Sequence, residues 1–462
     1  MVFSSISFLY YFLPIVLIVY FLVPKKAKNF VLFASSMVFY FYGEKIYTII
    51  MIAEILIAYI SGILIYKYRD TKHCKTILTT SIILCFSALF YFKYTNFLIL
   101  NINNLLNSSL SLLEITLPIG ISFFTFQALG YVIDVYRGVH KPAKKLTDFM
   151  TYLCLFPQLV AGPIVRYSDV EKKLVKRESS FDKFSEGIGR FVFGLSKKVL
   201  LANVLGEVIT NLVEVNVLSS FMKPILFTLQ IYFDFSGYSD MAIGLGLMFG
   251  FRFLENFNYP LIASSITDFW RRWHISLSSW FRDYVYIPLG GNRVSKLKWI
   301  RNIFVVWFLT GFWHGASWNF IIWGLYFGII LVIEKIFLGK YLERTKVLKY
   351  IYSLLIIVIG FLIFNSNSVN EIFISLKNMF LISDIPFSSR ETIYYLKSNL
   401  LLIIISIVGA TPLMKNIVCK IKKTKFSIVI DVLEPIVYII LLTLCTAFLI
   451  DASFNPFLYF RF

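Results

Sequence analysis

Residues Asp268–Trp323 read DFWRRWHISLSSWFRDYVYIPLGGNRVSKLKWIRNIFVVWFLTGFWHGASWNFIIW, and this stretch carries two of the four histidines in the chain. Its first part repeats apolar side chains with helical spacing, at Trp273, Leu277, Trp280 and Tyr284. On such a helix, Arg271 and Arg282 lie on the opposite face. Aromatic rings suit the headgroup level of a membrane, and arginines suit anionic groups. The pattern predicts a helix that lies in the membrane interface and does not cross the bilayer.

A turn and a second apolar run follow this helix. Pro288 and the Gly-Gly-Asn sequence at 290–292 predict the turn. The second run begins near Ile300 and carries His314 inward, flanked by Trp313, Gly315 and Trp318. An imidazole in such an apolar helix requires a hydrogen-bonding partner or a chemical role.

The composition excludes an ordinary soluble domain. Hydrophobic residues make up 58% of the chain, charged residues make up 15%, and the mean hydropathy is +0.75. Soluble domains carry about 25% charged residues. At roughly 20 residues for each crossing, the chain has room for about ten to thirteen helices. We expect a polytopic membrane protein with one domain over residues 1–462, a core motif region at 118–330 and an aromatic tail at 454–462.

The charge pattern argues against a nucleic-acid-binding protein, and the cysteine pattern argues against a disulfide-rich or metal-cluster protein. The net charge of +19 comes from short loops between apolar runs, so the positive-inside rule explains it better than binding to nucleic acid. The cysteines have no CxxC motif and no paired spacing, so we expect neither a disulfide framework nor a metal cluster. They are Cys74, Cys85, Cys154, Cys419 and Cys445.

The apolar runs on either side of the central stretch predict a series of helices. Ser4–Val23 has no basic residue before it, no cleavage site within it and lysines after it, so we expect a retained helix whose N-terminus lies outside. An amphipathic piece through Leu113 is expected after the run that ends at Tyr91. The other expected helices are Phe30–Tyr42, Ile46–Tyr66, Ile77–Tyr91, Thr116–Val135, Phe191–Val213, Pro224–Phe249, Trp318–Leu338, Leu348–Phe364, Leu400–Val408 and Ile428–Ile450.

Two segments depart from simple spans. Phe149–Ile164 contains two prolines and a glycine, which predicts a broken or re-entrant segment covered by protein. The run QIYFDFSGYSD at 230–240 places Asp234 and Asp240 in an apolar helix, where carboxylates need a wet cavity or partners. For Asp234 and Asp283 we expect pairing with arginine rather than an action on a histidine, because an unpaired buried carboxylate is costly.

Six motifs stand out along the chain: MVFSSISFLYYFLPIVLIVYFLVP (1–24), PIGISFFTFQALGYVIDVYRG (118–138), LVAGPIVRYSDV (159–170), QIYFDFSGYSDMAIGLGLMFGF (230–251), DFWRRWHISLSSWFRDYVYIPLGGNR (268–293) and GFWHGASWNFIIWG (311–324). Together they resemble the membrane-bound O-acyltransferase superfamily, in particular its alginate O-acetyltransferase AlgI-like branch. D-alanyl transfer proteins of Gram-positive walls share a WHISLS-like element, but PLGGNR is more similar to the acetylating branch.

The resemblance implies an all-α polytopic fold, a ring of about 11–13 transmembrane and re-entrant helices around a central tunnel. It implies transfer of an acyl group from a cytoplasmic thioester to a hydroxyl on an extracytoplasmic polymer. The expected donor substrate is acetyl-CoA, with no permanently bound cofactor. The expected setting is the inner (cytoplasmic) membrane, with membrane lipid around the chain and a secreted SGNH-type acetyltransferase as partner. His314 matches the signature histidine of the family, and His274 matches the other histidine of this branch.

Acyl transfer to a hydroxyl needs a group that removes the hydroxyl proton, and an imidazole is the commonest general base. His314 is the candidate base, and the alternative is a structural histidine between helices. For His274 three roles stay open: it orients substrate, it donates to a carbonyl oxygen, or it is a headgroup-level aromatic residue. Two histidines without HExxH spacing or a nearby cysteine make a weak zinc signal. His73 and His140 lie in basic loops and are expected at the surface.

Basic residues around the central stretch are candidates to bind the phosphates of coenzyme A, and the alternative is a role in topology and lipid contact. The four named candidates are Arg271, Arg272, Arg282 and Arg293.

The tail FNPFLYFRF at 454–462 carries Tyr459 among phenylalanines. It resembles the aromatic-tyrosine end of the small helical partner of the D-alanyl transfer system. We therefore include Tyr459 as an acyl relay that His314 deprotonates, and the alternative is a packing or anchoring tail.

The sequence as a whole predicts a membrane O-acetyltransferase component that exports acetyl groups for an exopolysaccharide or peptidoglycan. D-alanyl transfer to teichoic acid is the alternative enzyme. A transporter, with Asp234, Asp240 and the histidines along a permeation path, is the alternative of another class.

Overall fold

The structure is a computed structural model that describes residues 2–160, 162–451 and Leu458. Helices and their connections make up these residues, and no strand occurs among them. Contacts within the chain divide it into two compact units. Unit 1 contains residues 1–191 and 241–254, and unit 2 contains residues 192–240 and 255–462. The expectation of one domain stays a prediction.

Unit 1 is built from the N-terminal helices. Phe181–Ser196 and Val217–Met248 each contribute residues to both units. The helices wholly within unit 1 are Ser7–Phe12, Leu13–Leu22, Lys25–Ala27, Lys28–Glu44, Lys45–Tyr47, Thr48–Lys67, His73–Leu106, Ile121–Arg137, Leu146–Cys154, Phe156–Leu159 and Tyr167–Val175.

The broken segment that two prolines and a glycine predicted is confirmed in unit 1. Leu146–Cys154 and Phe156–Leu159 are separate short helices, and their residues from Tyr152 onward are buried. A side chain satisfies the backbone at the break, because Phe156 N–H donates to Ser36 Oγ at 3.0 Å. In lipid an unsatisfied backbone group costs several kcal/mol, so such a break requires cover by protein.

Two expectations for unit 1 were wrong. The run that begins at Ile77 and the amphipathic piece after it form one helix, His73–Leu106, because no proline or glycine interrupts these residues. His140 is half-buried rather than at the surface, since its ring lies 5.3 Å from that of Tyr131 and 5.0 Å from that of Tyr167. His73 is exposed, as expected.

Unit 2 contains the central stretch and the helices that follow it. Three short helices of unit 2 were not expected, because each has at most 11 residues and carries charged side chains. They are Val369–Met379, Arg390–Ser398 and Leu413–Ile421. The helices wholly within unit 2 are Lys197–Asn203, Val204–Asn211, Pro260–Ile262, Ile266–Arg272, Ile275–Phe281, Arg282–Tyr286, Lys296–His314, Trp318–Ile333, Glu334–Leu338, Gly339–Glu343, Leu348–Asn365, Val369–Met379, Arg390–Ser398, Leu400–Gly409, Leu413–Ile421 and Ser427–Asp451.

Two helices of unit 2 form a close-packed hairpin. Lys296–His314 and Trp318–Ile333 pack where small residues face each other's backbone. A methyl group at Gly311 would overlap the Phe320 carbonyl oxygen, and one at Gly324 would overlap the Trp307 carbonyl oxygen. Small residues at such contacts allow membrane helices to approach closely. The hairpin holds His314 at the end of its first helix.

The all-α membrane class is confirmed. Among the residues that the structure describes, five helices are long and apolar enough to cross a membrane, and a sixth span results if the bent pair Arg390–Ser398 and Leu400–Gly409 is counted as one. Shorter or more polar helices, such as Val217–Met248 with its two aspartates, lie outside this set. The ring and the central tunnel stay predictions.

Candidate active site

His314 is the last residue of the Lys296–His314 helix, and its side chain is buried at 4% exposure. Its imidazole is enclosed by aromatic rings. The centroids of Trp313 and Trp323 lie 4.9 Å away, and that of Phe364 lies 5.3 Å away. The C-terminus of a helix carries a partial negative charge, which stabilises an imidazolium. The position therefore suits a group that gains a proton during a reaction.

His274 interrupts the helix that the sequence predicted through it. Ile266–Arg272 ends before it and Ile275–Phe281 begins after it, and His274 has a left-handed backbone with φ 45° and ψ 53°. This conformation costs a non-glycine residue about 1–2 kcal/mol. Apolar spacing cannot reveal such a break, because the buried face continues on both sides of it. Each helix has seven residues, a length of about 10 Å that does not span a bilayer.

Asn256 fixes the orientation of the His274 ring. Its Oδ1 accepts from Ser276 N–H at 3.1 Å and from Ser276 Oγ–H at 2.9 Å, and it lies 3.2 Å from His274 Nδ1. A backbone N–H only donates, so the atom it meets is the amide oxygen, and His274 Nδ1 must carry the hydrogen. The lone pair of the neutral ring is therefore at Nε2.

Burial keeps His274 neutral. The side chain is 1% exposed, and desolvation lowers its pKa to about 3. A neutral ring with its hydrogen on Nδ1 accepts at Nε2 and does not donate there. Of the three roles left open by the sequence, donation to a carbonyl oxygen does not fit this tautomer. A lipid-facing aromatic role does not fit the burial.

Both histidines contact the ring of Trp313. Its ring centroid is 6.2 Å from that of His274 and 4.9 Å from that of His314. Residues 40 positions apart in sequence thus come together in one aromatic site within unit 2. We call His274 and His314 the histidine pair.

Glu334 joins the segments that carry the histidine pair. Its carboxylate accepts from Ile266 N–H at 2.6 Å, from Thr267 N–H at 3.0 Å and from the Thr267 hydroxyl at 2.9 Å. These donors lie in the first turn of the helix that ends just before His274. Glu334 itself directly follows the Trp318–Ile333 helix of the hairpin. A carboxylate at a helix N-terminus satisfies backbone donors that have no partner within the helix.

The four arginines that are candidates to bind the CoA phosphates differ in whether a carboxylate pairs with them. Arg272 pairs with Asp268 at 2.9 Å, and Arg282 pairs with its neighbour Asp283 at 2.7 Å. Arg271 and Arg293 are exposed and have no ion pair with any of the residues described. Arg271 and Arg293 are therefore better suited than Arg272 and Arg282 to bind an external anion.

The carboxylates of the QIYFDFSGYSD run are paired, as expected, but with lysines. Asp234 meets Lys198 at 2.5 Å, and Asp240 meets Lys197 at 2.6 Å. Asp283 has the arginine partner that was expected. The lysines come from a π-helical stretch, Lys197–Asn203, that the sequence did not connect with Asp234.

Tyr459 lies outside the described residues, so its role stays a hypothesis. Within residues 2–160, 162–451 and 458, no group of three or more histidine, cysteine, aspartate or glutamate side chains is placed to hold a metal ion.

The sequence analysis did not identify three residues that the structure places at the site, Asn256, Glu334 and Lys198. Asn256 carries no motif, but Glu334 and Lys198 are charged residues in apolar runs, which is a usable signal.

Residues 37–366 match the family model described as MBOAT, membrane-bound O-acyltransferase family. The chain is 41% identical over 379 residues to the probable alginate O-acetylase AlgI of Azotobacter vinelandii, over 80% of this chain and 76% of that protein. It is 32% identical over 415 residues to the peptidoglycan O-acetyltransferase of Helicobacter pylori, over 82% and 78% of the two chains. The teichoic acid D-alanyltransferase of Bacillus subtilis is 32% identical over 234 residues, 47% of this chain and 59% of that protein.

The family match includes the histidine pair and both helices of the hairpin. The family match confirms the resemblance that the six motifs indicated. It identifies an acyltransferase and not the transporter that was the alternative. The chain belongs to the membrane-bound O-acyltransferase family and is a multi-pass membrane acyltransferase.

Proposed function

We propose that this protein takes acetyl from acetyl-CoA on the cytoplasmic face of the cytoplasmic membrane and passes it across for O-acetylation of a polysaccharide or peptidoglycan. His314 is the general base, and Tyr459 carries the acetyl group as an ester. A secreted SGNH-type acetyltransferase then takes the acetyl to the polymer.

The observation that carries this proposal is the meeting of His274 and His314 around Trp313 in a buried aromatic site. Charge-stabilising groups act more strongly where water is excluded, and a neutral imidazole keeps the lone pair that accepts a proton. The relatives named above support acetyl rather than D-alanyl as the cargo. Both acetyl-transferring relatives match over about four fifths of this chain, whereas the D-alanyltransferase matches over 47%.

In the proposed reaction, His314 takes the proton of the Tyr459 hydroxyl while that oxygen attacks the thioester carbonyl carbon. The new C–O bond replaces the C–S bond, and the CoA thiolate leaves with the proton from His314. The helix C-terminus at His314 stabilises the imidazolium between these two steps. His274 accepts a hydrogen bond at Nε2 and so orients a hydroxyl in the site.

Arg271 and Arg293 are the proposed ligands of the CoA phosphates. Their guanidinium groups are exposed and are not paired with carboxylates among the described residues. Guanidinium groups bind phosphate oxygens through two parallel hydrogen bonds. Arg272 and Arg282 are held by Asp268 and Asp283, which leaves them a smaller role in this binding.

The first prediction concerns acetyl on the protein itself. Purified wild-type protein incubated with radiolabelled acetyl-CoA should carry label on the peptide that contains Tyr459. His314→Ala should label about 10²- to 10⁴-fold more slowly, the usual contribution of a general base. Tyr459→Phe should not label there at all. His73→Ala, at an exposed histidine, is the matched control and should label like wild type.

Three results would decide between models. If Tyr459→Phe still supports polymer acetylation in cells, the relay is wrong and transfer is direct. If His314→Ala labels at the wild-type rate, His314 is a structural histidine. If acetyl-CoA gives no label and is not consumed, the donor is another thioester, such as an acylated carrier protein.

The second prediction concerns the labelling rate, which should become dependent on pH when Asn256 is replaced by aspartate. Asn256→Asp places a carboxylate against the His274 ring, which favours the imidazolium and raises the pKa of His274 from about 3. An imidazolium has no lone pair at Nε2, so labelling should fall as the pH drops through the raised pKa. Wild type should be insensitive to His274 ionisation above pH 5.

Labelling rates measured from pH 5 to pH 9 check this prediction. The matched control is Asn258→Asp, the same substitution at an exposed asparagine two residues away. Identical pH profiles for Asn256→Asp and wild type would show that the hydrogen bond to Asn256 does not govern His274.

The third prediction concerns the donor site. Arg293→Gln should raise the KM for acetyl-CoA about 1.4- to 5-fold, because a contact between exposed charges contributes roughly 0.2–1 kcal/mol. The kcat should change little. Arg252→Gln is the control, because Arg252 is also exposed and pairs with Glu186 in unit 1. An unchanged KM at low salt would leave Arg293 with a role in topology only.

A further inference from the structure

A short amphipathic helix lies between two apolar helices in the last part of unit 2. It is Leu413–Ile421, which follows Leu400–Gly409 and precedes the span Ser427–Asp451. Its nine residues make it about 14 Å long, too short to cross a bilayer. At 3.6 residues for each turn, its apolar side chains share one face. They are Leu413, Met414, Ile417, Val418 and Ile421.

The apolar face of this helix is open. Leu413 is 51% exposed, Met414 is 55% exposed and Ile417 is 41% exposed. Lys415 and Lys420 lie on the opposite face. Helices with this pattern lie in the membrane interface, with the apolar face at the acyl boundary and the lysines at the headgroups.

The segment that contains this helix and the turn after it is strongly basic. Residues 411–427 carry no aspartate or glutamate. By the positive-inside rule, such a short loop beside a span faces the cytoplasm. Lysines in this position attract anionic lipid headgroups. The lysines of the segment are Lys415, Lys420, Lys422, Lys423 and Lys425.

One of these lysines is held by the last helix. Lys422 Nζ lies 2.7 Å from one carboxylate oxygen of Glu434, and the Tyr438 hydroxyl donates to the other at 2.6 Å. This contact connects the end of the amphipathic helix with Ser427–Asp451. The other four lysines are exposed and have no carboxylate partner among the residues that the structure describes. Their charge is therefore available to a ligand.

An apolar groove lies beside these lysines. Its volume is about 520 Å³, within the range of about 300–1,000 Å³ that is typical of ligand pockets. Lys420 and Thr424 are the polar residues of its lining. The apolar residues of the lining are Ile421, Phe426, Val429, Ile430 and Leu433.

The last helix, which forms one wall of the groove, has little cover from the protein. Only 6% of its most apolar window is buried, compared with 17–44% for the other four single-helix spans among the described residues. The groove thus combines a wall that requires an apolar partner with lysines that require an anionic one. Lys423 belongs to this rim, since its N–H donates to the Lys420 carbonyl oxygen at 3.2 Å.

We propose that residues 413–433 form a binding site for one phospholipid with an anionic headgroup, such as phosphatidylglycerol. An acyl chain lies in the groove against Val429 and Leu433, and the headgroup phosphate lies against Lys420 and Lys423. Charge alone would also suit a soluble acidic protein, but the apolar groove and the open face of the helix require an apolar ligand. The site is independent of the donor and of the acyl relay in the proposed function.

The test measures lipid binding to the intact protein in a neutral detergent. Phosphatidylglycerol and phosphatidylcholine with the same acyl chains are titrated, and the first bound lipid is followed by native mass spectrometry. Lys420→Gln with Lys423→Gln removes two charges, and Val429→Trp fills the groove without changing charge. The matched control is Lys340→Gln with Lys346→Gln, which removes two charges from exposed lysines beside other spans.

Wild type should bind phosphatidylglycerol at least about 25-fold more tightly than phosphatidylcholine. The Lys420 and Lys423 double variant should lose about 25-fold in affinity for phosphatidylglycerol, because each lysine near anionic lipid contributes about fivefold. Its affinity for phosphatidylcholine should not change. Val429→Trp should weaken the binding of both lipids, since it occupies the acyl-chain position. The control variant should bind both lipids like wild type.

Four results would overturn the lipid site. Equal affinity of wild type for the two lipids would show that the lysines do not select an anionic headgroup. Equal losses in the control and in the Lys420 and Lys423 variant would reflect net charge alone. If glycerol phosphate, the headgroup without acyl chains, competes as well as phosphatidylglycerol, the lysines bind a soluble anion. A protein dimer that Val429→Trp dissociates would assign the groove to a second copy of the chain.

Discussion

The Glu334 carboxylate joins the two parts of the chain that carry the candidate histidines. It accepts two backbone N–H groups and one hydroxyl from the first turn of Ile266–Arg272, and it directly follows the second helix of the hairpin that carries His314. In an apolar environment each of these donors would cost about 1–3 kcal/mol without a partner. The position of His274 relative to the hairpin therefore depends on this one buried acceptor.

Three buried polar side chains of unit 2 each hold another part of the chain in place. Asn256 holds the tautomer of His274, Glu334 holds the helix before it, and Asp234 holds the backbone at Leu458. His274 keeps a left-handed backbone that costs stability, and three contacts to Asn256 compensate for it: those of the ring, of Ser276 N–H and of the Ser276 hydroxyl. A strained residue that the surrounding structure holds in one orientation is typical of a preorganised site.

Much of the fold could be predicted from the sequence, because long apolar runs specify helices without knowledge of their neighbours. His314 in an apolar helix was predicted in this way, and the break at Phe149–Ile164 was predicted from its two prolines and its glycine. The break at His274 could not be, since an apolar face with helical spacing continues across it. Asn256 and Glu334 could not be assigned to the site, because they lie 18 and 68 residues from the groups they contact.

The central claim is that His274 and His314 act together on one reacting group. Single-turnover CoA release from acetyl-CoA, measured for His274→Ala, His314→Ala and the double variant, tests it most directly. If the histidines act together, the double variant will be about as slow as the slower single variant, because residues that act as a unit are strongly non-additive. If the two rate losses multiply in the double variant, the histidines act independently and the claim of one shared site is wrong.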